Sequence, residues 1–214
     1  MEIVYYGQSC FKLSGKNIQL VIDPFDPSDL GLKLPKLSAD VVMVSHQHKD
    51  HNNSAAIGGE SLVIDGPGEY EVKGTSIIGI QADHDNVNGA ESGKVTVFTF
   101  EVDDIKVCHL SDLYKPLTDA QLETIGPVDI LMVPVGGGGF TLDAQKATEV
   151  ISQLEPKITI PMHYHLSGMK GPKLDDLDKF LKEIGAEPEK TEKLKIVARD
   201  LPEEPKVVVF KPAV

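Results

Sequence analysis

The sequence predicts a layered α/β protein in which two β-sheets pack together with helices outside. Three observations carry this. Short β-type runs fill the first half of the chain. Strands alternate with amphipathic helices in the second half. Residues suited to metal ligation recur where apolar runs stop. At 214 residues the chain is long enough for a substantial core, and residues 1–214 are expected to form one domain.

The elements follow in order. Ile3–Tyr6, Cys10–Leu13 and Ile18–Ile22 are β-type runs separated by Gly7-Gln8 and Ser14-Gly15 turn signals. Asp23-Pro24-Phe25-Asp26-Pro27 interrupts them, because a proline cannot donate to a strand ladder. Val41–Val44 reads as a buried strand, and Asn53–Ile57 as one helical turn capped by Asn52 or Asn53. A second β-rich block holds Ser61–Asp65, Glu69–Lys73, Ser76–Ala82, Val95–Val102 and Ile105–Leu110. Asp103-Asp104 reads as a tight hairpin without the usual glycine. Thr118-Asp119-Ala120-Gln121 is a capping-box pattern for a helix ending at Gly126. Val128–Val133 is a buried strand. Ala147, Val150, Ile151 and Leu154 give Thr141–Leu154 one apolar helical face. Lys157–Pro161 is a strand, Leu174, Leu177, Leu181 and Ile184 mark a helix closed by Gly185, and Glu187–Glu192 reads as a polar linker. Lys193–Ala198 and Lys206–Phe210 end the series as strands, and no internal sequence repeat is found.

Composition narrows the function. The hydrophobic share of 41% and charged share of 25% are those of an ordinary globular protein. No apolar run approaches the roughly 20 residues of a membrane span. The start, Met1 to Tyr6, reads as a strand rather than a signal peptide. Cys10 and Cys108 lack any metal or disulfide spacing, so a cytoplasmic location is expected. Cys108 adjoins His109 but reads as a buried strand cysteine. A formal charge of −12 argues against a nucleic-acid partner. A small-molecule substrate is expected, an anionic one included, and a homo-oligomer is compatible with the composition.

The chemistry concentrates in Ser45-His46-Gln47-His48-Lys49-Asp50-His51-Asn52. Three imidazoles and a carboxylate leave the end of one strand there, and such donors suit zinc, iron or manganese. His46 and His48 stand two apart and so point the same way at a strand end. Asp50 and His51 follow as the chain turns, which allows one pair for each of two ions. His84, His109, Asp112, His163 and His165 lie at or just beyond later strand ends. A chance surface histidine needs no explanation, but this clustering does.

The spacing His46-x-His48-x-Asp50-His51, then a loop histidine, a strand-end aspartate and a late histidine, resembles the metallo-β-lactamase superfamily across nearly the whole chain. Gly66-Pro67-Gly68-Glu69-Tyr70-Glu71, His109-Leu110-Ser111-Asp112, Val133-Pro134-Val135-Gly136-Gly137-Gly138 and Ile160-Pro161-Met162-His163-Tyr164 resemble a subgroup of small metal-dependent hydrolases. That subgroup is related to the branch containing ascorbate-6-phosphate lactonase. The resemblance implies a four-layer αβ/βα sandwich with a dinuclear site between the sheets. It implies that His46, His48 and His84 hold a first ion, that Asp50, His51 and His163 hold a second, and that Asp112 bridges both. Two divalent ions follow, zinc first, with manganese or iron as alternatives. Asp50 and Asp112 are then the catalytic carboxylates of a hydrolase acting on an ester, lactone or amide-type bond.

His109 competes with His84 as the third ligand of the first ion; otherwise it is a pocket residue, as imidazoles near metals often are. Ser111 stands where a glycine often precedes the bridging aspartate. His165 reads either as a surface residue or as a group at the pocket mouth. Gly136–Gly139 is read as a flexible turn, with a backbone-lined pocket as the alternative. Glu69-Tyr70-Glu71 reads as strand alternation with solvated acids. Phe25–Lys36, Asn86–Ser92 and Leu113–Leu117 are the loops expected to set specificity. The rivals are a phosphodiesterase or nuclease of the same fold, a redox protein using iron, and a non-catalytic metal-binding protein.

Overall fold

The computed structural model describes residues 1–85, 89, 93–171 and 173–213. The chain begins with β1 (Glu2–Gly7), β2 (Cys10–Ser14) and β3 (Gln19–Ile22), then a four-residue helix, α1 (Pro27–Leu30). Next come β4 (Leu37–Ser38), β5 (Val41–Met43), β6 (Ile57–Gly58), β7 (Leu62–Ile64), β8 (Gly68–Val72), β9 (Thr75–Asp83), β10 (Lys94–Val102) and β11 (Ile105–His109). The second half runs α2 (Asp119–Ile125), β12 (Ile130–Pro134), α3 (Ala144–Leu154), β13 (Ile158–Met162), α4 (Leu177–Ile184), β14 (Glu189–Thr191), β15 (Leu194–Lys195) and β16 (Lys206–Phe210).

Two large sheets result. One has the order β15-β1-β2-β3-β5-β7 and the other β14-β16-β13-β12-β11-β10-β9-β8, while β4 and β6 form a small separate pair. Side chains alternate across each strand as the pleat requires. From β1 and β5, Ile3, Tyr5, Val41 and Met43 enter a central core with Phe98, Val107, Met132 and Ile160 of the other sheet. The opposite faces use the intervening residues. Leu131, Val133, Val207 and Val209 pack outward against Ala147 and Val150 of α3 and Phe180 of α4. Tyr6, Val21 and Val42 face outward on the other side, where Phe25 and Leu30 cover them. That outer layer is therefore short α1 and irregular chain rather than long helices.

Several local expectations change. The segment read as the linker Glu187–Glu192 contains β14, which pairs in parallel with β16 through Glu189↔Val208 and Thr191↔Phe210. Its side chains are largely solvent-facing, so a polar edge strand leaves no hydrophobic signature. The helix expected from Thr141 starts at Ala144, because the Asp143 side chain accepts the Lys146 N–H and caps it. Lys193–Ala198 shortens to β15, followed by a 3₁₀ turn over Ala198–Asp200. The Asn53–Ile57 turn is a 3₁₀ turn over Ser54–Ala56; Asn53 sits at its start but donates to Phe25 O instead of capping it. The hairpin at Asp103 and Asp104 forms with φ of 54° and 63°, values that aspartate tolerates better than most residues. Asp103 also accepts the Lys16 N–H and pairs with the N-terminal amine, each at 3.0 Å.

Candidate metal centre

Strand direction gathers the donors. β1 and β3 both run antiparallel to β2, and β5 is parallel to β3. The C-terminal ends of β1, β3 and β5 therefore share one edge. In the second sheet β9 and β11 both run antiparallel to β10, and β12 and β13 continue in parallel with β11. Gln8, Asp23, His46–His51, His84, Asp112 and His163 each lie just beyond one of these strands. Three of them, Gln8, Asp23 and His163, and Ser111 beside Asp112, have positive φ between 45° and 54°. The chain turns sharply off the sheet at these points, at a cost of about 1 kcal/mol or more for a non-glycine residue.

One triad is made by His46, His48 and His84. His46 Nε2 is 3.1 Å from His48 Nδ1, and His84 Nε2 is 3.4 Å from the same atom. In a tetrahedral site with metal–nitrogen bonds of about 2.0–2.1 Å, the nitrogens stand about 3.3 Å apart. The outer nitrogens set the tautomers. His84 Nδ1–H donates to the Asp112 carbonyl at 3.1 Å. Ser45 Oγ donates to Asp23 Oδ2 at 2.8 Å and therefore accepts from His46 Nδ1–H at 2.9 Å. Both rings thus turn a free Nε2 lone pair toward His48.

The second triad is Asp50, His51 and His163. Asp23 Oδ2 accepts from His51 Nδ1–H at 3.0 Å, which turns His51 Nε2 toward the carboxylates of Asp50 and Asp112. Asp112 stands between the triads. Its Oδ2 is 3.9 and 3.8 Å from Nε2 of His46 and His84, and 3.3 and 3.2 Å from Nε2 of His51 and His163. Among the described residues, His51 Nε2 and Asp112 Oδ1 are buried polar atoms of the site without hydrogen-bond partners. Such atoms are rare in folded proteins unless something else satisfies them. A donor set of imidazole nitrogens and carboxylates fits divalent cations.

The electrostatics agree. Burial opposes charge on Asp112, yet His163 and His51 beside it hold its carboxyl well below the usual range. Burial likewise opposes charge on His51, but Asp112, Asp50 and Asp23 hold its pKa well above the usual value. Burial, then His51, pushes His46 down to about 3.

His109 is not brought into either triad. Its Nε2–H donates to Ser9 O at 2.9 Å and its Nδ1 accepts the Ser111 N–H at 3.2 Å, so both nitrogens are engaged. It fastens the β1–β2 turn to the strand end before Asp112. Ser111 is fully buried, and its hydroxyl reaches Ser45 Oγ and Asp23 Oδ2. His165 is exposed, with its backbone N–H bonded to Asp175 O. Cys108 is a buried free thiol in β11. The expected loop Asn86–Ser92 lies, apart from Gly89, outside the described residues. Gly136–Gly139 includes three residues with positive φ, and a Cβ on Gly136 would meet His163 O at 2.1 Å. Sequence reasoning missed Gln8, Asp23 and Ser45. Asp23 carries the same signal as the other donors, an acid directly after an apolar strand, but the two following prolines draw attention to the break instead.

Fold and site define a class, a two-sheet sandwich with a histidine–aspartate cradle at one edge. The chain belongs to the metallo-β-lactamase superfamily: a family model described as the Beta-lactamase superfamily domain matches residues 2–163. A crystal structure from Thermotoga maritima, provisionally described as a Zn-dependent hydrolase of that superfamily, superposes with a TM-score of 0.82 at 40% identity, covering 98% of this chain and 97% of that one. A UPF0173 metal-dependent hydrolase of Thermococcus onnurineus is 28% identical over 194 residues, 77% of this chain and 85% of its own length. A UPF0173 protein of Pyrococcus abyssi is 29% identical over 191 residues, 78% of this chain and 85% of its own.

Proposed function

We propose that this chain, a metal-dependent hydrolase of the superfamily, works with two divalent ions, zinc in the first place. Its substrate class is a small molecule with an ester, lactone or amide-type bond. The observation that carries the reading is the position of Asp112 Oδ2, within 3.9 Å of ring nitrogens from both triads. In this reading His46, His48 and His84 hold one ion, Asp50, His51 and His163 the other, and Asp112 contributes to both. Divalent ions held in this way supply a nucleophile from water at neutral pH and counter the charge developing on substrate oxygen.

The chain's own residues prepare the centre. Asp23 keeps the proton of His51 on Nδ1 and, through Ser45, that of His46 on Nδ1. Asp112 is shielded, whereas the Asp50 side chain is 26% exposed and can accept a hydrogen bond from entering water. A cleft of about 360 Å³ beside His46 and His48 is lined by Gln47, Asp65, Gln81, Lys94 and Thr96. That size suits a small-molecule substrate, and the Lys94 ammonium at its rim is already paired with Asp83.

The test is metal content together with turnover on a panel of lactones, esters, amides and phosphodiesters. His48→Ala and Asp112→Ala are expected to lose bound metal and to lower turnover about 100-fold or more. Full turnover by either variant would overturn the reading, and activity confined to phosphodiesters would overturn the substrate class.

A further inference from the structure

Gln8 sets a buried side chain against the second triad. It lies at the tip of the β1–β2 hairpin, is fully buried, and has φ of 54°. Its backbone oxygen accepts from the Tyr5 hydroxyl at 2.9 Å and from the His163 N–H at 2.8 Å. The hairpin tip is thus tied to the strand end that carries His163. Its side-chain Nε2 lies 2.8 Å from Asp50 Oδ2 and 2.7 Å from His163 Nε2, two donor atoms of the second triad. The Asp50 carboxylate can only accept, so the atom facing it is the amide nitrogen rather than the oxygen. Gln8 Oε1 is buried without a hydrogen-bond partner among the described residues.

We infer that the Gln8 carboxamide competes with the second ion for its ligands. The inference rests on the two-ion reading above. An imidazole nitrogen has one lone pair, and His163 Nε2 can give it to the amide N–H or to a cation, but not to both. The two amide hydrogens hold Asp50 and His163 together in place of a cation, and the ion displaces them when it binds. The two positions consequently differ in affinity. The His46–His48–His84 position fills first, and the second fills only after the Gln8 amide swings away.

The experiment is a Zn²⁺ titration of the metal-free full chain against a colorimetric chelator, comparing wild type with Gln8→Ala and Gln8→Asn. Asparagine tolerates the positive φ and cannot reach both partners, so it covers the case in which Gln8→Ala fails to fold. The expected result is two ions per chain, an unchanged first dissociation constant, and a second one tightened roughly tenfold in both variants. A weaker second ion in the variants would make Gln8 a ligand and overturn the inference. So would an unchanged second constant. A chain that takes up one ion at saturating Zn²⁺ in every form would instead remove the two-ion reading, and stoichiometry tells that failure apart from the others.

Discussion

Asp23 has no exposed surface, and burial alone would neutralise it; the adjacent His51 keeps its carboxyl below the usual range. Its Oδ1 takes the Ser45 backbone N–H, and its Oδ2 takes both His51 Nδ1–H and Ser45 Oγ–H. One carboxylate therefore orients a histidine in each triad. The same burial decides the behaviour of His46, held down to about 3 by desolvation and then by His51. Its unfolded value is about 6.5. Between those values the unfolded chain binds a proton that the folded chain refuses, so this group's contribution to stability is complete above about pH 6.5 and is lost as pH falls toward 3. In metal-free protein the His46 ring nitrogens should show flat NMR shifts from pH 8 to pH 5. A titration midpoint near 6.5 would contradict the buried, neutral ring. The grouping of His46, His48, Asp50 and His51 was legible in sequence because these candidate donors are crowded together. Asp23 and Gln8 were not, because each is a single common residue whose role depends on neighbours at least 22 residues away in the chain.

At the scale of elements, the centre depends on how strands end. β12 and β13 run side by side, pairing Pro134 with Met162, and immediately beyond them Gly136 packs on the His163 carbonyl. A Cβ at Gly136 would stand 2.1 Å from that oxygen, so Gly136→Ala must move one strand end or the other. Because Gly136 lies outside the positive-φ set, the effect is one of space. The expected outcome is a stability loss of about 1–3 kcal/mol by denaturant unfolding, with weakened binding of one Zn²⁺ while the His46–His48–His84 position keeps its affinity. Equal loss at both positions would show that the strand ends are not separately coupled to the triads. Strongly patterned elements such as α3 were readable within a few residues, since Ala147, Val150 and Leu154 are all buried. The edge strand β14 was not, because its pairing uses backbone groups that composition does not report.

For the whole molecule, the central core lies between the sheets and the donors lie at one end of it. Buried strands thus serve as rigid mounts, each delivering a turn residue to the same edge. Alternation of strand and helix after Asp112 made the elements of that half legible, and the structure adds that β11, β12 and β13 pair in parallel. The sparse outer layer over β1, β3 and β5 was not legible, since Phe25 sits in irregular chain and Leu30 in the four-residue α1, which is too short for a periodicity to read. Among the described residues no helix is long and apolar enough to cross a membrane. The central claim is that this edge holds two ions. Anomalous diffraction at the zinc edge, from crystals grown with Zn²⁺, tests it most directly. The account predicts two peaks, one among His46, His48 and His84 and one among Asp50, His51 and His163, with Asp112 between them. A single peak, or a peak at His109, would contradict it.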